Sequence, residues 1–161
     1  MKQTRKEMMG PRAFDSPEQE VFLNLWRTYD HLRALEDELF GRYDLTAQQY
    51  NALRLLRAVH PDGMATLQLA SRLISRAPDI TRLLGKLEDR GLVRRDRLAE
   101  NRRVVRVAIT AAGLELLDEM AAPVLDCARR QVGHLTDDEQ RRLIELLKAA
   151  RRPHEDPATR W

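Results

Sequence analysis

The chain has little of what several protein classes need. A single cysteine, Cys127, stands among its 161 residues, so no internal disulfide can form and nothing points to an oxidising compartment. Aromatic residues make up only 5% and glycine and proline number seven each, a scarcity that argues against an all-β sandwich or barrel. No apolar run approaches the ~18 residues of a membrane-spanning helix. The basic stretch from Met1 to Arg12 is followed by no apolar segment of the kind an export signal carries. A cytoplasmic protein without a membrane partner is expected. The four histidines, His31, His60, His134 and His154, fall in separate segments with no cysteine or carboxylate at ligand spacing, so no metal and no other cofactor is expected. Neither a glycine-rich phosphate loop nor a nucleophile elbow occurs, and the acidic pair Asp137-Asp138 suits a helix N-terminus. No catalytic residue is assigned, and an enzyme is not expected.

What remains is a soluble globule, 43% apolar and 33% charged, of a length that fits one domain spanning 1–161. Leucine and alanine lead the apolar letters, which favours helices. Ser16, Pro17 and Gln19 form a helix opening. Phe22, Leu25, Trp26, Tyr29, Leu32, Leu35, Leu39 and Phe40 then recur at helical steps until Gly41 and Asp44. Thr46 with Gln49 reads as a capping box for a second helix carrying Tyr50, Leu53, Leu56 and Val59. Thr66 can cap a third helix with Leu67, Leu69, Ala70, Leu73 and Ile74. Pro78 and Asp79 suit the first turn of a fourth, whose inward residues are Ile80, Leu83, Leu84 and Leu87 and whose stop is Gly91. Its opposite face, Asp79, Thr81, Arg82, Gly85, Lys86 and Asp89, is polar or small throughout and is expected to look outward.

From Leu92 to Thr110 the period switches to two, which predicts a β-hairpin. Thr110 then caps a fifth helix, with Pro123 expected to bend or break it. Thr136 with Glu139 opens a sixth helix bearing Leu143, Ile144, Leu146 and Leu147. The first, fifth and sixth helices offer more apolar face than a small central lobe can cover, so a homodimer is expected.

Charge is unevenly placed. Residues 71–110 hold eleven Lys and Arg against five Asp and Glu, a net of +6, while the rest of the chain carries −3 toward the overall +3. A basic stretch of helix, turn, helix and hairpin matches what a reader of double-stranded DNA needs: cations for phosphates and a helix slim enough for the major groove.

Within that stretch, residues 79–93 read DITRLLGKLEDRGLV, followed by Asn101-Arg102-Arg103 and then by Ile109-Thr110-Ala111-Ala112-Gly113. By these motifs the chain resembles the MarR family of bacterial transcriptional regulators from about Glu18 to Leu147. The resemblance implies a mainly α fold with a small β-hairpin wing. In it, 46–110 forms a winged helix-turn-helix lobe, 16–43 and 111–151 are dimerisation helices, and 152–161 is a flexible tail. It also implies DNA contacts from Ser75, Arg76, Pro78, Asp79, Thr81, Arg82 and Lys86, with Arg102 and Arg103 at the wing tip, one of them in the adjacent minor groove. Here the sequence departs from the family, whose wing often reads D-P-x-D-R-R. Leu98-Ala99-Glu100-Asn101 precede the arginines instead, leaving no carboxylate at either usual place.

The resemblance further implies a ligand-responsive repressor on a pseudo-palindromic operator, its effector a small aromatic or phenolic molecule. Trp26, Tyr29 and Tyr50 are candidates to line such a site, with plain core packing as the competing account. Two other functions stay open at this point: a redox sensor acting through Cys127, and a winged-helix protein-interaction module without sequence-selective DNA binding.

Overall fold

The computed structural model describes residues 14–74, 79–97 and 104–155, and its elements follow in this order. Helix α1 spans Pro17–Gly41, α2 Ala47–Arg57, strand β1 Met64–Ala65, α3 Thr66–Arg72, α4 Ile80–Asp89, β2 Val93–Arg97, β3 Val105–Ile109, α5 Ala111–Val132 and α6 Asp137–Arg151, with a short 3-10 turn at Arg152–His154. Two compact units divide at Leu35 and Glu36.

The first unit consists, among the described residues, of the leading part of α1. Ser16 caps it, its hydroxyl accepting the Gln19 N–H at 3.2 Å. Val21, Phe22, Leu25, Trp26 and Tyr29 are all exposed there. This leading part of the apolar stripe legible in the sequence therefore has no cover within its own unit.

The second unit holds the core. α2 is its hub, touching α3, α4, α5 and β3, and Leu53, Leu56, Leu69, Leu84, Leu87, Val107 and Met120 are fully buried around it. The Thr46–Gln49 capping box is present in both directions, with the Thr46 N–H donating to Gln49 Oε1 at 2.9 Å and the Gln49 N–H to Thr46 Oγ1 at 3.2 Å. That reciprocal pairing satisfies two helix-end donors and explains why a glutamine is tolerated with so little exposure.

The expected hairpin is part of a three-stranded antiparallel sheet in the order β1-β3-β2. Val93 lies opposite Ile109 and Arg97 opposite Val105, while Met64 and Ala65 pair with Val107 and Arg106 on the other edge of β3. A two-residue strand gives no periodicity to detect, and β1 passed unseen in the sequence for that reason. Its pairing also changes the role of Thr66. Ala65 takes the cap position of α3 without a side-chain bond, and the Thr66 hydroxyl donates across the sheet to the Val105 carbonyl at 3.2 Å. In the same short helix only Leu69 is buried, and Leu67 lies 82% exposed.

α5 runs unbroken through Pro123. The carbonyl that loses its donor belongs to Glu119, which is exposed, so water can take the place of the missing N–H. The second capping box, Thr136 with Glu139, is present at the start of α6. No residue of α6 is buried, and Leu143, Ile144 and Leu146 all face solvent in the single chain.

A candidate nucleic-acid interface on α4

Most of the ten residues of α4 fall on one of two faces, with Ile80, expected inward, only half-buried, as are Gly85 and Glu88. Leu83, Leu84 and Leu87 are buried, whereas Thr81, Arg82, Lys86 and Asp89 are exposed. Asp79 caps the helix, a carboxylate oxygen accepting the Arg82 N–H at 2.9 Å. Its negative charge is thus placed at the positive end of the helix dipole. At the other end Gly91 takes a left-handed φ of 68°, and its N–H donates to the Glu88 carbonyl at 2.7 Å. The outward face read from helical spacing is therefore present, and it brings Thr81, Arg82 and Lys86 together on successive turns. Among the described residues no ion pair or hydrogen bond holds the Arg82 guanidinium or the Lys86 ammonium. Ser75, Arg76 and Pro78, and Arg102 and Arg103, lie outside the described residues.

Several other cations of this basic stretch are occupied inside the fold, which a charge count could not reveal. Arg90 donates to the Asp44 carbonyl at 2.7 Å and to the Tyr43 carbonyl at 3.0 Å, tying the end of α4 to the turn between α1 and α2. Arg106 donates to the Asp62 carbonyl at 3.0 Å. Arg94 pairs with Asp96, two residues on and on the same face of β2, at 2.7 Å. Arg95 points to the opposite face, where its Nε donates to Glu88 Oε2 at 2.7 Å and its Nη2 to the same oxygen. Arg97 is exposed with no partner among the described residues.

The Arg95–Glu88 pair fastens the first strand of the wing to α4. Hydrogen bonding from Arg95 lowers the Glu88 carboxyl pKa below its ordinary value against a smaller opposing desolvation. A carboxylate so stabilised contributes at neutral pH, and its contribution disappears as pH falls through the lowered value. Both side chains are about one-third exposed, which limits the gain. Glu88→Gln is expected to cost up to about 1 kcal/mol, a drop in Tm of about 1–3 °C at neutral pH. Thermal melts in acid should show the gap between variant and wild type closing.

Two further contacts position the lobe and were missed at the sequence level. Asn51 Oδ1 accepts the Ile74 N–H at 3.0 Å, anchoring the end of α3 to α2. The Thr110 hydroxyl both accepts the Gly113 N–H at 3.2 Å and donates to the Gly91 carbonyl at 2.6 Å. The cap of α5 thereby also locks the exit of the wing to the end of α4. Capping was legible from Thr110 in the sequence; a donor bond nineteen residues back was not.

The aromatic candidates separate by unit. Trp26 and Tyr29 are exposed on α1, with the Trp26 ring tilted against Phe22 at 6.3 Å. Tyr50 is half-buried and stacks on Phe40 at 4.7 Å. An open groove of about 720 Å³ runs between α2 and α5, lined by Tyr50, Arg54, Arg57, Leu117, Val124 and Leu125. The Arg54 guanidinium lies 5.9 Å from the centre of the Tyr50 ring and donates to its hydroxyl at 3.3 Å. Arg57 bridges to Asp118 of α5 at 2.9 Å.

Cys127 is buried on α5. Burial raises its thiol pKa, and Glu36, Asp126 and Glu38 push it the same way against the opposing Arg130. A sensing thiol needs thiolate at neutral pH and access for oxidant; this one is held toward the opposite condition. Among the described residues no group of three or more histidine, cysteine or carboxylate side chains is placed to hold a metal ion, and no helix is long and apolar enough to cross a membrane.

Comparison with known proteins agrees with this geometry. Residues 45–105 match the model of the MarR family, a span that covers α2 to the start of β3. A crystal structure of a MarR transcription factor from Planctomyces limnophilus is 60% identical, the match covering 84% of this chain and 98% of that one with a TM-score of 0.69. The fold is shared with Sco3205, a MarR family transcriptional regulator from Streptomyces coelicolor solved in complex with DNA, at 22% identity over 93% of this chain and 95% of that one, TM-score 0.81. It is shared too with MepR of S. aureus, also solved with DNA, at 23% identity over 80% and 95% of the two chains, TM-score 0.71. With a 60% identical relative matched over almost its whole length, the chain belongs to the MarR family.

Proposed function

We propose that this protein is a DNA-binding transcription regulator that acts as a homodimer and reads the major groove with α4. The observation that carries the reading is the division of labour among its cations. Arg90, Arg95 and Arg106 are bonded within the fold, whereas Arg82 and Lys86 stand one turn apart on the exposed face of the helix. Arginine and lysine suit the O6 and N7 acceptors of guanine, and Thr81 beside them can contact bases or phosphate. Asp79 serves first as the helix cap. By the family resemblance Ser75, Arg76 and Pro78 are assigned to the same DNA-binding surface, and Arg102 and Arg103 to the minor groove or phosphates. Sco3205 and MepR, which share the fold, were solved with DNA, and this supports the same use here. Two copies related by a two-fold axis would meet half-sites ~34–36 Å apart in a pseudo-palindromic operator. This is the work of a binding protein rather than an enzyme.

The protein is further a repressor answering to a small aromatic or phenolic effector. The α2–α5 groove offers an apolar floor with the Tyr50 ring and the Arg54 guanidinium at its rim, chemistry suited to an aromatic ring with an acidic substituent. Such an effector acts only through its differential affinity for the DNA-bound and DNA-free arrangements. The test is a footprint on DNA flanking the protein's own coding region, with and without phenolic compounds, repeated across salt concentrations. A protected palindrome whose affinity falls steeply with salt supports the reading. Binding that ignores both sequence and salt would assign the fold to protein interaction instead.

A further inference from the structure

Gly85 occupies the middle of α4, where glycine is a poor choice. Its backbone is ordinary right-handed helix, so the conformational freedom of glycine goes unused there and only its entropic cost remains. Nor does packing ask for it, because a Cβ built at Gly85 would meet no heavy atom within 4 Å. On the helix surface the residue sits among Thr81, Arg82 and Asp89, three or four positions away, with Lys86 adjacent. That is the centre of the face opposite Leu83, Leu84 and Leu87. A residue that breaks a local rule without internal compensation points to a demand from outside the fold.

We infer that Gly85 is the point where the edge of the DNA duplex comes closest to the α4 backbone, which makes it a specificity-determining position for operator recognition. A helix with its side chains measures about 10–12 Å across and the major groove about 12 Å, so the fit leaves little room. A bare position lets the helix axis settle deeper, and Arg82 and Lys86, which lie on the same flank of it, then reach the base edges. A methyl group at the same place holds the helix away from the base edges while leaving its long cations able to reach phosphates. The inference rests on the DNA reading above.

Gly85→Ala tests it with two readouts expected to move in opposite directions. The full-length dimer should melt about 2–4 °C higher, as removal of a mid-helix glycine from open space predicts. Fluorescence anisotropy with the footprinted operator and with a scrambled duplex of equal length should show operator affinity about tenfold weaker. Affinity for the scrambled duplex and the slope of affinity against salt should be unchanged. Wild-type operator affinity in the variant would overturn the inference, and so would an equal loss on both duplexes or a lowered Tm. If the wild type itself binds no duplex, the DNA reading falls and takes this inference with it; failure in the variant alone leaves that reading standing.

Discussion

Replacing Arg82 with alanine is expected to weaken operator binding roughly 10- to 100-fold, the value of one good cation-to-base contact. The protein itself should melt as before, because the side chain is exposed and no described partner holds it. The loss should be concentrated on the operator: with a scrambled duplex of the same length the variant should come much closer to wild type. Selection among single-base operator variants should relax at the position that Arg82 reads. Arg102→Ala supplies the contrast. An arginine that the family resemblance assigns to phosphate or the minor groove contributes mainly charge, so its removal should weaken all sequences similarly and reduce the salt slope by about one. Titration of both variants on both duplexes at several salt concentrations separates the roles. An Arg82→Ala protein with an unaltered footprint and base preference would remove α4 from its assigned place.

The same experiment depends on knowing which arginines are available, and there sequence and structure diverge in an instructive way. Helical spacing was enough to sort α4 into its buried leucines and its polar face, because a 3.6-residue period needs no information from the rest of the chain. The capping boxes at Thr46 and Thr136 were legible for the same reason: every atom involved lies within three residues. Arg90, Arg95 and Arg106 belonged to the same net charge of +6, yet each is committed to a partner. The carbonyls held by Arg90 are 46 and 47 residues away, and the carboxylate held by Arg95 is on a different element. Such pairings are set by tertiary placement alone. The same holds for β1, whose partner strand begins some forty residues downstream, and for Thr66, whose hydroxyl goes to Val105 instead of capping its own helix. Residues 75–78 and 98–103 lie outside the described residues, and there the assignments of Ser75, Arg76, Pro78, Arg102 and Arg103 rest on the family resemblance.

A larger effect is expected from breaking the association of two copies. Trp26 of α1 is 62% exposed and Ile144 of α6 is 50% exposed, and neither has cover within its own unit. Full burial of such side chains contributes about 1.5–3 kcal/mol each, and the same surface from a second copy is doubled by symmetry. A carboxylate placed at either position would be desolvated by that contact, at a cost of several kcal/mol per ion. The double variant Trp26→Asp, Ile144→Asp should therefore run as a monomer in size-exclusion chromatography with multi-angle scattering. Its helical circular dichroism should change little, because both sites face solvent in the single chain. On the operator the expected loss is about 10²–10⁴-fold, since the second half-site is no longer delivered at high effective concentration by the first. On a single half-site the variant should match wild type. A double variant that remains dimeric would place the interface elsewhere, and a monomer that still binds the full operator tightly would show that one lobe suffices.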